Sequence, residues 1–314
     1  MTQLMEGKVR LAESAKDSLA GHFFWLLTSH DNPGRVQGGE GWRELDRIGP
    51  VNYKGLLTPW EEPLDVYYMY RSNYADPVTQ PMVYIVSHTW PGRWTKPGIK
   101  NGITVYSNCT EVELFNDLDN ASLGRRKRNG IGTHFTWDDV NIQYNVLYAV
   151  GYRDGRPVAR DTIVLNHLPQ APGLKNFYEK QPDITTPQKG YHYWYRVNAG
   201  GPAYMDKLGQ RWMADQVWEG KGIWGSQSWT KQFPGLPDFF ASQRRTFVPL
   251  KGTKDPELFS TFRYGRDELT YHFPAPAGEC SIELYFTEPW LGIGGGTDAK
   301  GMRVFDVAVN GKVV

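Results

Sequence analysis

The sequence predicts a mainly β, multidomain chain that opens with a piece of α/β structure. Three observations predict it: apolar alternation with a period of two from Pro81 onward, 34 Gly and 21 Pro to supply turns, and an aromatic content of 14% that includes 12 Trp and 18 Tyr. Its 314 residues are enough for two or three domains at roughly 100–200 residues each, with ample material for buried cores.

Composition excludes several classes of function. Lys+Arg 35 against Asp+Glu 34 gives a formal charge of +1, so there is no broad basic footprint and nucleic acid is not an expected partner. Mean hydropathy is −0.54, and no stretch approaches the ~18 consecutive apolar residues of a membrane span. Cys109 and Cys280 lie far apart, without the spacing of a metal site or redox motif, so they read as ordinary thiols and neither metal nor cofactor is expected. Met1 to Arg10 has no apolar core of the signal-peptide kind.

Along the chain, Leu4, Leu11, Ala15 and Leu19 recur at helical spacing, with Met5, Val9 and Ala12 adjoining, which predicts a helix over 3–20 ended by Gly21. His22 to Thr28 is a continuous apolar run, as in a strand covered on both faces. A helix feeding such a strand is a βα signature. With no second unit following, residues 1–77 read as the end of a larger α/β domain.

Strands are predicted at Met82–Val86, Gly102–Tyr106, Glu111–Phe115, Asn145–Tyr152 and Pro157–Leu165, the last two joined by the turn signal Asp154-Gly155. Residues 78–166 are therefore expected to form a small antiparallel β-sandwich. Residues 167–192 hold four prolines without a period and read as a linker. A third unit, 193–314, is again β-rich, with Tyr195–Asn198, Glu268–Phe273, Ser281–Thr287 and Arg303–Val309 as strands. Asn310-Gly311 then predicts a type I′ hairpin, with only Lys312 to Val314 left for the returning strand. An abandoned strand edge is unfavourable, so both ends are expected to be cut points.

Catalytic chemistry has little purchase here. Glycoside hydrolysis needs two carboxylates across a pocket. Neighbours such as Glu61/Glu62 and Asp138/Asp139 point apart on extended chain, while Glu111 and Glu113 share the polar face of one strand as solvated charge. No G-x-S-x-G, P-loop or H-E-x-x-H string is present, and Gly292–Gly296 lacks the spacing of a dinucleotide fingerprint. The run Arg125-Arg126-Lys127-Arg128 reads as a solvated turn. Aromatics remain. Half of the 12 Trp fall after residue 193, several beside Gly or Pro, and Trp224, Trp229 and Trp290 sit in expected loops, where a flat ring can stack against the C–H face of a sugar.

Four strings in order, YRVNAGG (195–201), TFRYG (261–265), LYFTEPW (284–290) and RVFDVAVNG (303–311), resemble the malectin-like carbohydrate-binding fold. That resemblance implies an incomplete malectin-like β-sandwich in which loop aromatics hold a glycan. Tyr264 and Trp290 match its aromatic positions, Trp224 or Trp229 supplies a further one, and Asn198 matches the opening motif. Leu291 departs from the family's aromatic pair, and an acidic ligand contact lies beyond Val314.

The first half resembles the C-terminal portion of glycoside hydrolase family 2, the β-galactosidase-like enzymes. GHFFWLLTSHD (21–31) matches the eighth strand of its (β/α)8 barrel, YKGLLTPWEEPLDVYYMY (53–70) the closing loop and helix, and 81–115 an immunoglobulin-like β-sandwich that follows. The resemblance implies that Trp25 borders the terminal-sugar subsite and that the two catalytic glutamates belong to earlier strands. The expectation is a C-terminal fragment of a secreted or periplasmic retaining exo-β-glycosidase, most like a β-galactosidase. The fragment is expected to be inactive alone, with the missing N-terminal barrel and a carbohydrate as partners. A non-catalytic binding or structural module is the alternative.

Overall fold

A computed structural model of the protein describes residues 2–31, 51–52, 55–57, 63–88, 90–119, 121–227, 243–245, 248–263, 268–288 and 300–314. The first half holds helices α1 (Thr2–Ser14) and α2 (Asp65–Tyr74), and strands β1 (His30–Asp31), β2 (Val51–Asn52), β3 (Val83–Ile85), β4 (Gly98–Lys100), β5 (Ile103–Ser107), β6 (Glu111–Phe115), β7 (Ser122–Lys127), β8 (Phe135–Trp137), β9 (Val140–Ile142), β10 (Val146–Arg153) and β11 (Arg156–Val164). Helix α3 (Pro172–Glu179) follows. Strands β12 (Val197–Asn198), β13 (Tyr204–Met205), β14 (Arg211–Ala214), β15 (Gly225–Gln227) and β16 (Gln243–Arg245) come next, then helix α4 (Pro256–Ser260) and β17 (Thr261–Arg263), β18 (Thr270–His272), β19 (Ala308–Val309) and β20 (Lys312–Val313).

The strands predicted between Met82 and Leu165 all form, whereas the one expected at 22–28 is no regular strand and makes an isolated bridge from Thr28 to Leu57. Sheets β3-β5-β8 and β11-β10-β6-β7 bury their inner residues in one core that contains Val83, Val105, Leu114, Trp137, Leu147 and Ile163. Alternation fixes which side chains enter it: Val112 and Leu114 are buried, whereas Glu111, Glu113 and Phe115 face outward. Asp154 and Gly155 both have positive φ, 51° and 74°, as the two-residue turn between β10 and β11 requires. The β3-β5-β8 sheet is covered on its second face as well, because Tyr84, Tyr106 and Met82 pack with Met5 and Val9 of α1 and with Val66 and Met69 of α2.

Four expectations change. The buried stripe of α1 is Met5, Glu6 and Val9, while Leu4 and Leu11 are exposed; the buried Glu6 takes a hydrogen bond from His134. The run 22–28 is covered on one face only. Phe24 packs into the helical cluster, while Phe23, Trp25 and Leu27 point to solvent. The Arg125–Arg128 run is no turn, since Arg125 to Lys127 end edge strand β7, where Arg125 pairs with Glu111 across the sheet. Within 167–192, α3 buries Leu174 and Tyr178 against Val146 and Ala171.

The third unit is sparser in strands. Residues 281–287 and 303–307, expected as strands, form no regular element, and β19 pairs with β20 in the last hairpin, around Asn310 and Gly311 with φ of 51° and 78°. Among the described residues no helix is long and apolar enough to cross a membrane.

Candidate carbohydrate-binding site

The register of one short ladder builds the candidate site. Gly225 of β15 lies opposite His272 of β18, so the next residues outward, Trp224 and Phe273, come face to face. Their rings are parallel within 8°, with centroids 6.0 Å apart. Phe273 also lies parallel to Tyr271, at 5.7 Å, because residues two apart on a strand share a face. Tyr195 closes the group at 5.1 Å from Phe273 and 6.3 Å from Trp224, its hydroxyl donating to Pro274 O at 2.7 Å. Trp224 and Tyr195 are half-buried and Phe273 is 42% exposed, so the cluster forms a surface rather than a core.

Backbone geometry holds this surface. Gln216 Nε2 donates to Trp224 O, and the loop from Trp218 to Trp224 turns back through Gly220 and Gly222. A side chain at Gly225 would stand 2.5 Å from the backbone nitrogen of Trp218, so only glycine lets the two passes approach. On the opposite face, the Trp218 ring stacks on His272 at 3.8 Å.

Beneath the aromatics lies a buried polar anchor. Asp215 Oδ2 accepts from Arg263 Nε at 2.5 Å, from Gly200 N at 2.7 Å and from Tyr271 OH at 3.1 Å. Burial, with the Asp215 carboxylate beside it, pushes the Tyr271 phenol well above its ordinary range, so it stays a neutral donor. Gly200, with φ 71°, passes so close to Phe262 O that a side chain there would clash at 2.4 Å.

Of the residues singled out by sequence, Trp224 lies in this cluster. Asn198 sits beneath it and is 2% exposed. Its amide donates to Pro202 O and its carbonyl accepts from Thr261 Oγ1, so the side chain shapes the turn that carries Gly200 and Gly201. Trp25 is 80% exposed in the N-terminal unit, on a segment whose backbone pairs with residues 55–57. Tyr264, Trp229 and Trp290 lie outside the described residues. Sequence reading missed Tyr195, Tyr271 and Phe273 as platform residues, although the alternation of Tyr271 and Phe273 within an expected strand was a usable signal.

Among the described residues no acid/base pair accompanies the platform. Glu111 is engaged by Arg125 at 2.9 Å and Glu113 accepts from Tyr152 OH at 2.9 Å, both on the outer face of the four-stranded sheet. Asp138, between β8 and β9, accepts from Gly102 N of the β4–β5 connection. A cleft between Leu250, Phe259 and Tyr285 has no carboxylate among its lining residues. Among the described residues no three His, Cys, Asp or Glu gather as a metal site would need.

Residues 193–314 match the family model described as Malectin domain, and residues 98–159 match a domain of unknown function, DUF4982. A putative beta-glucuronidase of Formosa agariphila is 28% identical over 174 residues, which is 53% of this chain and 19% of that protein. The chain is thus similar to a putative beta-glucuronidase over about half of its length and to the Malectin domain over residues 193–314. Among solved structures, the apo structure of Bacteroides uniformis beta-glucuronidase 3 is 28% identical over 55% of this chain and 20% of its own, with a TM-score of 0.43. A glycosyl hydrolase family 2 member from Bacteroides cellulosilyticus is 25% identical over 38% of this chain and 17% of its own, with a TM-score of 0.28. The matched stretch spans about a fifth of the length of the first two relatives.

Proposed function

We propose that this chain serves a retaining exo-β-glycosidase of the glycoside hydrolase 2 type as its glycan-holding portion. It binds saccharide and does not itself break the bond. The observation that carries this is the aromatic surface of Trp224, Phe273 and Tyr195, lying inside the stretch that matches the Malectin domain. Flat rings beside hydrogen-bonding groups suit the mixed C–H and hydroxyl surface of a pyranose.

On this reading the two glutamates of the double displacement belong to barrel strands outside this sequence. Trp25, exposed on its segment, then borders the terminal-sugar subsite when that barrel is present. Substrate preference is proposed to be a β-glucuronide. The Formosa agariphila relative is named as a putative beta-glucuronidase, which favours a uronic acid over the galactoside that the sequence suggested.

The test pairs two assays on the full chain. Nitrophenyl β-glucuronide and β-galactoside should give no turnover above background, while affinity electrophoresis should show retardation in at least one polysaccharide gel. Equal mobility in every gel would remove the binding role. Turnover abolished by mutating a carboxylate of this chain would remove the division of labour.

A further inference from the structure

A second aromatic cluster lies in the loop between β3 and β4, outside residues 193–314 and separate from the Trp224 surface. Trp90 is 62% exposed there, and Trp94 is partly buried against the sandwich core. The Arg93 guanidinium lies 5.7 Å from the Trp90 ring centre and 5.9 Å from that of Trp94, and the Lys100 ammonium lies 5.6 Å from Trp94. Residues 90–100 (WPGRWTKPGIK) carry three cations and no Asp or Glu.

The loop is built rather than loose. Arg93 Nε donates to Trp90 O at 2.9 Å, and its two terminal nitrogens donate to Val86 O and Ser87 O. Asn166 N donates to Pro91 O, and the His167 ring lies beside Gly92. Three of the five guanidinium N–H bonds thus go to backbone carbonyls, and among the described residues none goes to a carboxylate. Burial pulls Arg93 below its ordinary range, with the Asp65 carboxylate and Tyr84 acting in the opposite direction. The two guanidinium N–H groups not bonded to these carbonyls leave donors for an arriving anion, and guanidinium suits carboxylate and sulfate groups in particular.

We propose that Trp90, Arg93, Trp94 and Lys100 form a second saccharide site that selects acidic pyranosides, sugars bearing a carboxylate or a sulfate. The indole of Trp90 offers the sugar ring a platform, and the flanking cations read its charge. Saccharide as the ligand class rests on the glycan-holding role proposed above. Single-stranded nucleic acid also combines flat rings with anions, but the chain's net charge of +1 gives it no extended basic track.

The experiment is affinity electrophoresis of the full chain in gels containing alginate (carboxylate), κ-carrageenan (sulfate), neutral galactomannan or oligo-dT. Wild type should be retarded by one or both acidic glycans, the responding gel identifying carboxylate or sulfate as the anion read. Trp90→Ala and Lys100→Gln should each weaken that retention roughly threefold to tenfold, whereas Trp90→Phe, which keeps a flat ring, should retain most of it. Circular dichroism checks that each variant is folded. Trp224→Ala should lower retention in the neutral gel, so a failure of the Trp224 site is read there, apart from the acidic gels in which Trp90→Ala is read. Wild-type mobility of Trp90→Ala in both acidic gels would overturn the proposal. So would oligo-dT retention that matches the acidic gels and ignores Trp90.

Discussion

Asp215 and Arg263 form an ion pair whose side chains are each 1% exposed, with Nε and Oδ2 2.5 Å apart. The same oxygen receives Tyr271 OH and Gly200 N, so one carboxylate ties β17, β18 and the turn after β12 together beneath the aromatic surface. Removing it would break a buried ion pair from one side, which costs about 3–5 kcal/mol. Asp215→Ala is predicted to lower amide protection in β12, β14 and β18 by that order. Hydrogen exchange measures this, and unchanged protection would mean the pair does not organise the unit.

Much of the fold is legible where the signal is local. Asp154-Gly155 and Asn310-Gly311 announce their hairpins because both positions of such a turn need positive φ, which few residues tolerate. Strand β6 is legible because Val112 and Leu114 alternate with Glu111 and Glu113. What escapes is whatever a distant partner decides. In α1 two neighbouring stripes fit the helical period. The buried one is chosen by His134, 128 residues away, meeting Glu6. The basic run becomes a strand because the preceding strand presents Glu111 to Arg125. Trp224 is visible as a loop tryptophan, but Phe273 and Tyr195 join it only through the pairing of β15 with β18.

The contact of His134 with Glu6 predicts a pH dependence. The hydrogen bond from Nδ1 to the Glu6 carboxylate, 2.8 Å, holds the imidazole above its ordinary 6.5 and outweighs the opposing effect of burial. A histidine raised on folding adds stability that is fully present below the unfolded value and is lost as pH climbs through the folded one. The Tm advantage of wild type over His134→Gln should therefore be larger at about pH 5.5 than at about pH 8.5. A gap of the same size at both would show that the pair contributes nothing through protonation.

Gly151 faces the core of the sandwich in β10. A methyl group there would stand 2.5 Å from both Cys109 Sγ and Val83 Cγ2. Gly151→Ala should cost about 1–3 kcal/mol through overpacking, read as a fall in the denaturation midpoint. Cys109→Ala removes one of the clashing atoms, so the double variant should be less damaged than the sum of the singles. Strict additivity would place the cause elsewhere.

Trp25 is 80% exposed, so its removal should be structurally silent in this chain. Trp25→Ala is expected to change stability by no more than about 0.5 kcal/mol in thermal denaturation, and to leave polysaccharide retention as it was. A large loss of stability would mean the indole is a packing residue rather than a free contact.

Isothermal titration of the full chain with the neutral glycan that retards it, comparing wild type, Trp224→Phe and Trp224→Ala, bears on the glycan-holding role most directly. Loss of the ring should weaken binding by about 1 kcal/mol, roughly fivefold, while phenylalanine keeps most of the affinity. An alanine variant that binds as tightly as wild type would contradict the account.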